Sequence, residues 1–131
     1  MSKSRSAYPS ALARGGVAPI SAAVQWGDLL FLSGFIPIDP ATRKVSGDDI
    51  ESQAEAVLVQ IREAVEDAGS NLQHVLKLEC FLGDPSDFAG WNRVFARYFP
   101  VEPPARITQV GKFVEESVRI QVHGVAAIPE R

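Results

Sequence analysis

A single cysteine, Cys80, and two histidines, His74 and His123, stand among 131 residues. One cysteine excludes an internal disulfide framework and suits a reducing compartment. So few ligating side chains leave no zinc-type spacing, and no metal is expected. No apolar run approaches the roughly 18 residues that span a bilayer, and no glycine-rich loop of the phosphate-cradling kind occurs. Basic residues are scarce relative to acidic ones: 13 Lys and Arg against 16 Asp and Glu give a net charge of −3 and a pI of about 5.3. That balance speaks against a general nucleic-acid-binding surface. The N-terminal stretch carries Lys3, Arg5 and Arg14, with the first acidic residue at Asp28, but it lacks the apolar segment of a secretory signal. A cytosolic terminus on a cytoplasmic protein is expected rather than an organellar transit sequence.

What is present suits one globular domain: 46% hydrophobic and 22% charged residues, near the globular average. Residues 1–16 are expected to form a flexible arm, and 17–131 a single domain. Ser21–Trp26, a turn at Gly27-Asp28, and Leu29–Ser33 read as a hairpin, with Leu29–Ser33 a continuous apolar run expected to be fully buried. Gly34 breaks that run, as punctuation or to let a ligand or backbone approach. Asp48 or Asp49 caps a helix whose apolar face is Ile50, Ala54, Val57, Leu58, Ile61, Val65 and Ala68. The carboxylates off that face read as a solvated helix surface. Val75–Leu82 reads as a strand with Leu76, Leu78, Cys80 and Leu82 buried, which makes Cys80 an inert core thiol. Asp84-Pro85-Ser86-Asp87 opens a second helix with an aromatic stripe, Phe88, Trp91, Phe95, Tyr98 and Phe99, that Pro100 ends. Asn92 lies near its inner face. The last strand, Val118–Ala127, puts Arg119, Gln121 and His123 on its polar phase. The order strand, strand, helix, strand, helix, strand, strand is an α+β pattern: a mixed sheet with two helices packed on one face. The half-polar other face invites assembly with further subunits.

Pro103-Pro104-Ala105-Arg106 stands out. Two prolines make a stiff extended lead-in to the strand-like Arg106–Val110, so a guanidinium sits at the mouth of a strand. Arginine grips a planar carboxylate with two parallel hydrogen bonds and a permanent charge. Arg106 is therefore a candidate anchor for a small carboxylate, or else a surface arginine following a proline turn.

Taken together, Pro19…Ser21…Ala23-Val24, Leu32-Ser33-Gly34…Ile36-Pro37, Asp49-Ile50-Glu51-Ser52-Gln53, Ala68-Gly69-Ser70, Phe88…Asn92…Phe95…Tyr98-Phe99 and Pro103-Pro104-Ala105-Arg106 resemble the RidA family, also called YjgF or endoribonuclease L-PSP. The resemblance runs from about residue 17 to 128. It implies a chorismate-mutase-like α+β fold and a homotrimer whose sheets face inward, with three clefts between subunits. It also implies hydrolysis of reactive imino and enamine acids to 2-oxo acids and ammonia without metal or organic cofactor. The arginine matching Arg106 holds the substrate carboxylate; Gly34, Asn92 and backbone near Thr108 match positions at the cleft. The pocket departs from the pattern. Ile20 stands where a tyrosine is usual, Thr108 where a cysteine is frequent, and Phe35 where a polar residue is common. His123 stands where the catalytic glutamate is expected in Gln121-Val122-His123-Gly124.

The expectation is a cofactor-free deaminase of small carboxylate-bearing imines or enamines, 2-imino acids or aminomuconate-like acids. Arg106 would bind the carboxylate, His123 handle water and the departing nitrogen, and Thr108 add a hydroxyl. Ile20 and Phe35 would make the pocket apolar. Two alternatives stay open: a trimer that binds a carboxylate metabolite without turnover, and an endoribonuclease, against which the acidic composition and the lack of a basic aromatic groove weigh. His123 has a structural alternative too, a hydrogen bond across a subunit interface.

Overall fold

Six strands form one mixed sheet with two helices against one face. The computed structural model describes residues 3–10 and 19–130. In chain order the elements are β1 (Arg5–Pro9), β2 (Ser21–Trp26), β3 (Leu29–Phe35), α1 (Ile50–Asp67), β4 (Val75–Leu82), α2 (Phe88–Tyr98), β5 (Ala105–Val110) and β6 (Ile120–Ala127). Across the sheet the order is β1-β2-β3-β6-β4-β5. Neighbours are antiparallel except β4 and β5, which are parallel and joined, as parallel strands must be, by a crossover containing a helix, here α2.

Register sorts the side chains into two sets, because residues paired across a ladder share a face. One set reads Ala23–Leu32–Gly124–Leu78–Arg106, with Val122–Cys80–Thr108 in the next row. This is the covered face. Leu30, Leu32, Leu78, Cys80, Leu82, Ile120, Val122 and Ala126 are buried there with Ala54, Val57, Leu58, Ile61 and Val65 of α1 and Trp91, Val94 and Phe95 of α2. The other set reads Val24–Phe31–Val125–Lys77–Ala105, then His123–Glu79–Ile107, then Gln121–Phe81–Gln109. No helix covers it.

Gly124 shows how closely the strands approach: a Cβ there would overlap the Lys77 carbonyl oxygen, so no larger residue fits without moving β4. The cap of α1 falls at Asp49, whose Oδ1 accepts from Ser52 N at 2.7 Å. Behind it Gln53, fully buried, donates to Gly47 O and Ser117 O and accepts from Arg119 N. Every polar atom of that amide is thus engaged, as burial requires, and it ties the loop before α1 to the start of β6.

Four expectations need correction. The N-terminal arm is not loose over Arg5–Pro9: these residues pair with β2 as an edge strand, and Tyr8 Oη donates to Gln25 Oε1 at 2.6 Å. The open edge of β2 needs donors and acceptors, and this segment supplies them. Arm residues 1–2 and 11–16 lie outside the described residues. Leu29–Ser33 is not buried on both sides; Leu30 is 0% exposed but Phe31 47%, since only one face has helices. Leu76 is exposed and Val75 buried, because a register shift between Val75 and Lys77 turns Leu76 outward. The last strand begins at Ile120 rather than Val118, Arg119 being held instead by Asp48 O and the Asp87 carboxylate.

Candidate functional site

Arg106 lies on β5, an edge of the sheet, and its side chain belongs to the covered face beside α2. The stiff lead-in is visible: Glu102, ahead of the two prolines, has φ of 45°, a left-handed conformation that a non-glycine residue holds only against some strain. The guanidinium is fixed by two kinds of contact. Its Nη2 donates to Asn92 Oδ1 at 2.7 Å, and its Cζ stands 4.6 Å from the ring centroid of Phe95, 5.8 Å from Phe88 and 5.9 Å from Trp91. Attraction between a cation and the faces of aromatic rings favours this seat. The aromatic stripe of α2 is therefore core below, where Trp91 and Phe95 are buried, and a platform at its top, where Phe88 is half exposed. No carboxylate lies within ion-pair distance of Arg106 among the described residues. An oriented, half-buried cation without a counter-charge is equipped to take an anion.

Thr108 follows two residues on, on the same face. Its hydroxyl is shut off from solvent, and among the described residues neither it nor Trp91 Nε1 makes a hydrogen bond of ordinary geometry, the Cys80 thiol being the polar group beside both. Both lie near Cys80, whose thiol burial pushes up to about 12, against the opposing pull of the Arg106 charge and the Thr108 and Trp91 side chains. Cys80 is an inert core thiol, as its strand phase suggested.

Gly34, Ile20 and Phe35 come together elsewhere. They line a cavity of about 190 Å³ between the ends of β2 and β3 and the flank of α1. At Gly34 a register shift between Leu32 and Phe35 bulges β3 away from β6. A Cβ on Gly34 would run into the side-chain amide of Gln121. Gln121 is the last-strand residue that meets the Gly34 bulge, and residue type alone gave no signal for it.

His123 goes to neither place. It projects from the open face, with Nε2 3.2 Å from Glu79 Oε2 and its ring stacked on Phe81 at 6.0 Å; Lys77 Nζ approaches the same carboxylate at 3.8 Å. Arg106 and His123 thus occupy opposite faces of one sheet and do not meet within a chain. Arg106 and Gly34 are likewise three strands apart, about 14 Å at ordinary strand spacing. One chain thus holds two separate features: the Arg106 guanidinium with Asn92 at the β5 edge, and a recess of Gly34, Ile20 and Phe35 beside α1. Among the described residues no cluster of His, Cys, Asp or Glu could hold a metal ion, and no helix is long and apolar enough to cross a membrane.

A mixed sheet backed by two helices is a small α+β architecture. Comparison with known proteins places the chain within it. The family model described as Endoribonuclease L-PSP matches residues 11–128. A RutC family protein of Pyrococcus horikoshii is 37% identical over 110 residues, covering 84% of this chain and 87% of that protein. The chloroplastic Reactive Intermediate Deaminase A of Arabidopsis thaliana is 32% identical over 110 residues, covering 84% of this chain and 59% of that protein. The crystal structure of RidA from an Antarctic Psychrobacter superposes with a TM-score of 0.80 at 32% identity, covering 86% of this chain and 90% of that one. The chain belongs to the endoribonuclease L-PSP family, the RidA or YjgF family of the resemblance, and has its chorismate-mutase-like α+β fold.

Proposed function

We propose that the protein hydrolyses small carboxylate-bearing imines or enamines to 2-oxo acids and ammonia, in sites completed between copies of the chain in a homotrimer. The observation that carries this reading is Arg106: clamped by Asn92, seated on aromatic rings, and without a carboxylate partner among the described residues. A relative named Reactive Intermediate Deaminase A supports the reaction class. Arg106 of one copy would hold the substrate carboxylate, while the Gly34 recess of the next would enclose the remainder.

The chemistry balances without a cofactor. An iminium acid and one water give the 2-oxo acid and an ammonium ion. Water adds to the C=N carbon, a proton passes from the new C–O to the nitrogen, and the C–N bond breaks as C=O forms. The departing ammonia then takes the last proton. Arg106 stabilises the carboxylate and draws electron density from the adjacent carbon, and Gln121, beside Gly34, is placed to orient water. Within one chain the His123 imidazole meets the Glu79 carboxylate, and whether it reaches a site completed by another copy is read by the His123→Gln variant. That pairing favours a second reading, a trimer that binds a carboxylate metabolite without turning it over, since within one chain the sheet separates His123 from Arg106.

The test generates 2-imino acids in situ with an amino-acid oxidase and follows 2-oxo acid and ammonia release. Acceleration by the parent protein, lost in Arg106→Ala, is expected. Saturable binding of 2-oxo acids with no acceleration would leave the binding protein as the correct reading.

A further inference from the structure

The open face of the sheet carries a compact cluster of charge. His123 Nε2 stands 3.2 Å from Glu79 Oε2, Lys77 Nζ stands 3.8 Å from Glu79 Oε1, and the His123 ring stacks on Phe81 at 6.0 Å. The carboxylate thus offers one oxygen to each neighbour. A neutral ring with its proton on Nε2 already donates to Glu79. With that ring the cluster sums to zero, Lys77 against Glu79. A second proton adds a positive charge without a further hydrogen bond to the carboxylate. Little on this face offsets it. Register places uncharged Phe31 of β3, Gln121 and Val125 of β6, and Ile107 and Gln109 of β5 around the cluster. The other charged side chain on the strands of this face is Arg5, in the row Arg5–Trp26–Leu29 toward the far edge. Residues 1–2, 11–18 and 131, outside the described set, include no Asp or Glu.

We propose that this cluster makes assembly of the chain sensitive to pH. Copies hold together while the His123 rings are neutral and separate as the rings take up protons. The proposal rests on the homotrimer of the proposed function, with the open face turned toward other copies. Trp26, Leu29, Phe31 and Ile107 lie exposed on that face. A copy that covers them takes the charge cluster among them out of water too. A closed ring repeats the same patch in every copy. Protonation then puts one uncompensated charge per copy where water is scarce and like charges gather. Histidine is the side chain whose charge changes between about pH 5 and 8. Separated chains, whose rings stay in water, bind the proton more readily than assembled ones. By linkage, assembly strengthens as pH rises and weakens as pH falls. The largest effect is about ten-fold per copy for each pH unit.

The experiment uses the full chain with His123→Gln, which stays neutral, and His123→Arg, which stays charged. Each is sedimented over a range of protein concentrations, in the urea concentration that leaves about half of the parent assembled at about pH 8. From about pH 8 to about pH 5.5 the parent's apparent dissociation constant should rise by about ten-fold or more. His123→Gln should match the parent at the higher pH and lack that rise. His123→Arg should already be dissociated at the higher pH, as the parent is at the lower one. A rise of equal size in the parent and His123→Gln would overturn the switch, because other groups would then carry the pH dependence. A loss of assembly that is the same at every protein concentration would overturn it too, placing the effect in the single chain's fold. A parent that is monomeric at about pH 8 without urea fails the homotrimer itself. A trimeric parent indifferent to pH fails the switch alone.

Discussion

Val122 and His123 are neighbours in β6, yet Val122 is 0% exposed and the His123 side chain 39%. The same contrast runs across the whole sheet. On the covered face, rows of aliphatic residues pack under two helices, and at the β5 edge that packing ends in Arg106, whose guanidinium inherits the rigidity of the aromatic stripe beneath it. On the open face, Phe31, Trp26, Leu29 and Ile107 are 39–49% exposed, interleaved with Lys77, Glu79, Gln121 and His123. A single chain leaves that much apolar surface in water only at a cost. The difference teaches how the two faces divide: the covered face holds Arg106 rigidly, and under the proposed function the open face meets other copies and brings the Arg106 edge to a neighbour's recess.

Breaking the open face should have the largest effect. Phe31→Asp places a charge in the row Val24–Phe31–Val125, removing burial worth about 1.5–3 kcal/mol per copy and adding a carboxylate that resists desolvation. Sedimentation should read trimers for the parent and monomers for the variant. A parent that is monomeric at micromolar concentration would remove the open face from any role in assembly.

Arg106→Ala comes next. It should weaken 2-oxo acid binding by about 2–5 kcal/mol with little change in Tm, because the guanidinium lies at an edge and only partly in the core. Lysine should restore part of the loss, since an ammonium cannot make the two-pronged contact. A variant that binds like the parent would show the anchor to be misassigned.

Cys80 probes how dry the covered face is. Burial raises its thiol from 9.0 to about 12, so the fold favours the neutral form. That contribution is complete below the unfolded value and is lost as pH rises from about 9 toward 12, at about 1.4 kcal/mol per pH unit. The stability difference between parent and Cys80→Ala, measured by denaturant titration, should be flat below pH 8 and shrink above pH 9. A difference constant to pH 11 would mean that the thiol is not desolvated.

The smallest effect is expected at His123. An exposed pair such as His123–Glu79 contributes about 0–1 kcal/mol, so His123→Gln should leave stability and 2-oxo acid affinity within that range. A large loss of imine turnover in this variant, with assembly intact, would return His123 to the reaction.

Much of this was legible in the residues. The periodicity of Ile50–Ala68 and the proline-opened aromatic segment gave both helices, the Gly27-Asp28 turn between two strand-like runs gave the hairpin, and alternation gave the outward phase of His123. What escaped depended on partners distant in sequence. Arg5–Pro9 becomes a strand only because β2 has an open edge. The bulge that exposes Leu76 is set by pairing with β6. Leu29–Ser33 is apolar on both faces for different reasons, one face serving the core and the other remaining open. The candidate site was half legible. Arg106 with Asn92, and Gly34 with Ile20 and Phe35, were singled out, but the parallel register that sets Leu78 against Arg106 decides which face the guanidinium takes. That register separates Arg106 from His123, while the irregular β3–β6 pairing brings Gln121 to the Gly34 bulge.

The central claim, that one chain's anchor works with another chain's recess, is tested most directly by complementation. Arg106→Ala removes the anchor, and Gly34→Val fills the recess against the Gln121 amide; each variant alone should fail to bind 2-oxo acids while still assembling. Co-refolded in equal amounts, they should regain about a quarter of the parent's binding sites, the share in which an intact anchor meets an intact recess in a randomly mixed closed ring. Mixed assemblies that bind no better than either variant alone would contradict a site shared between subunits.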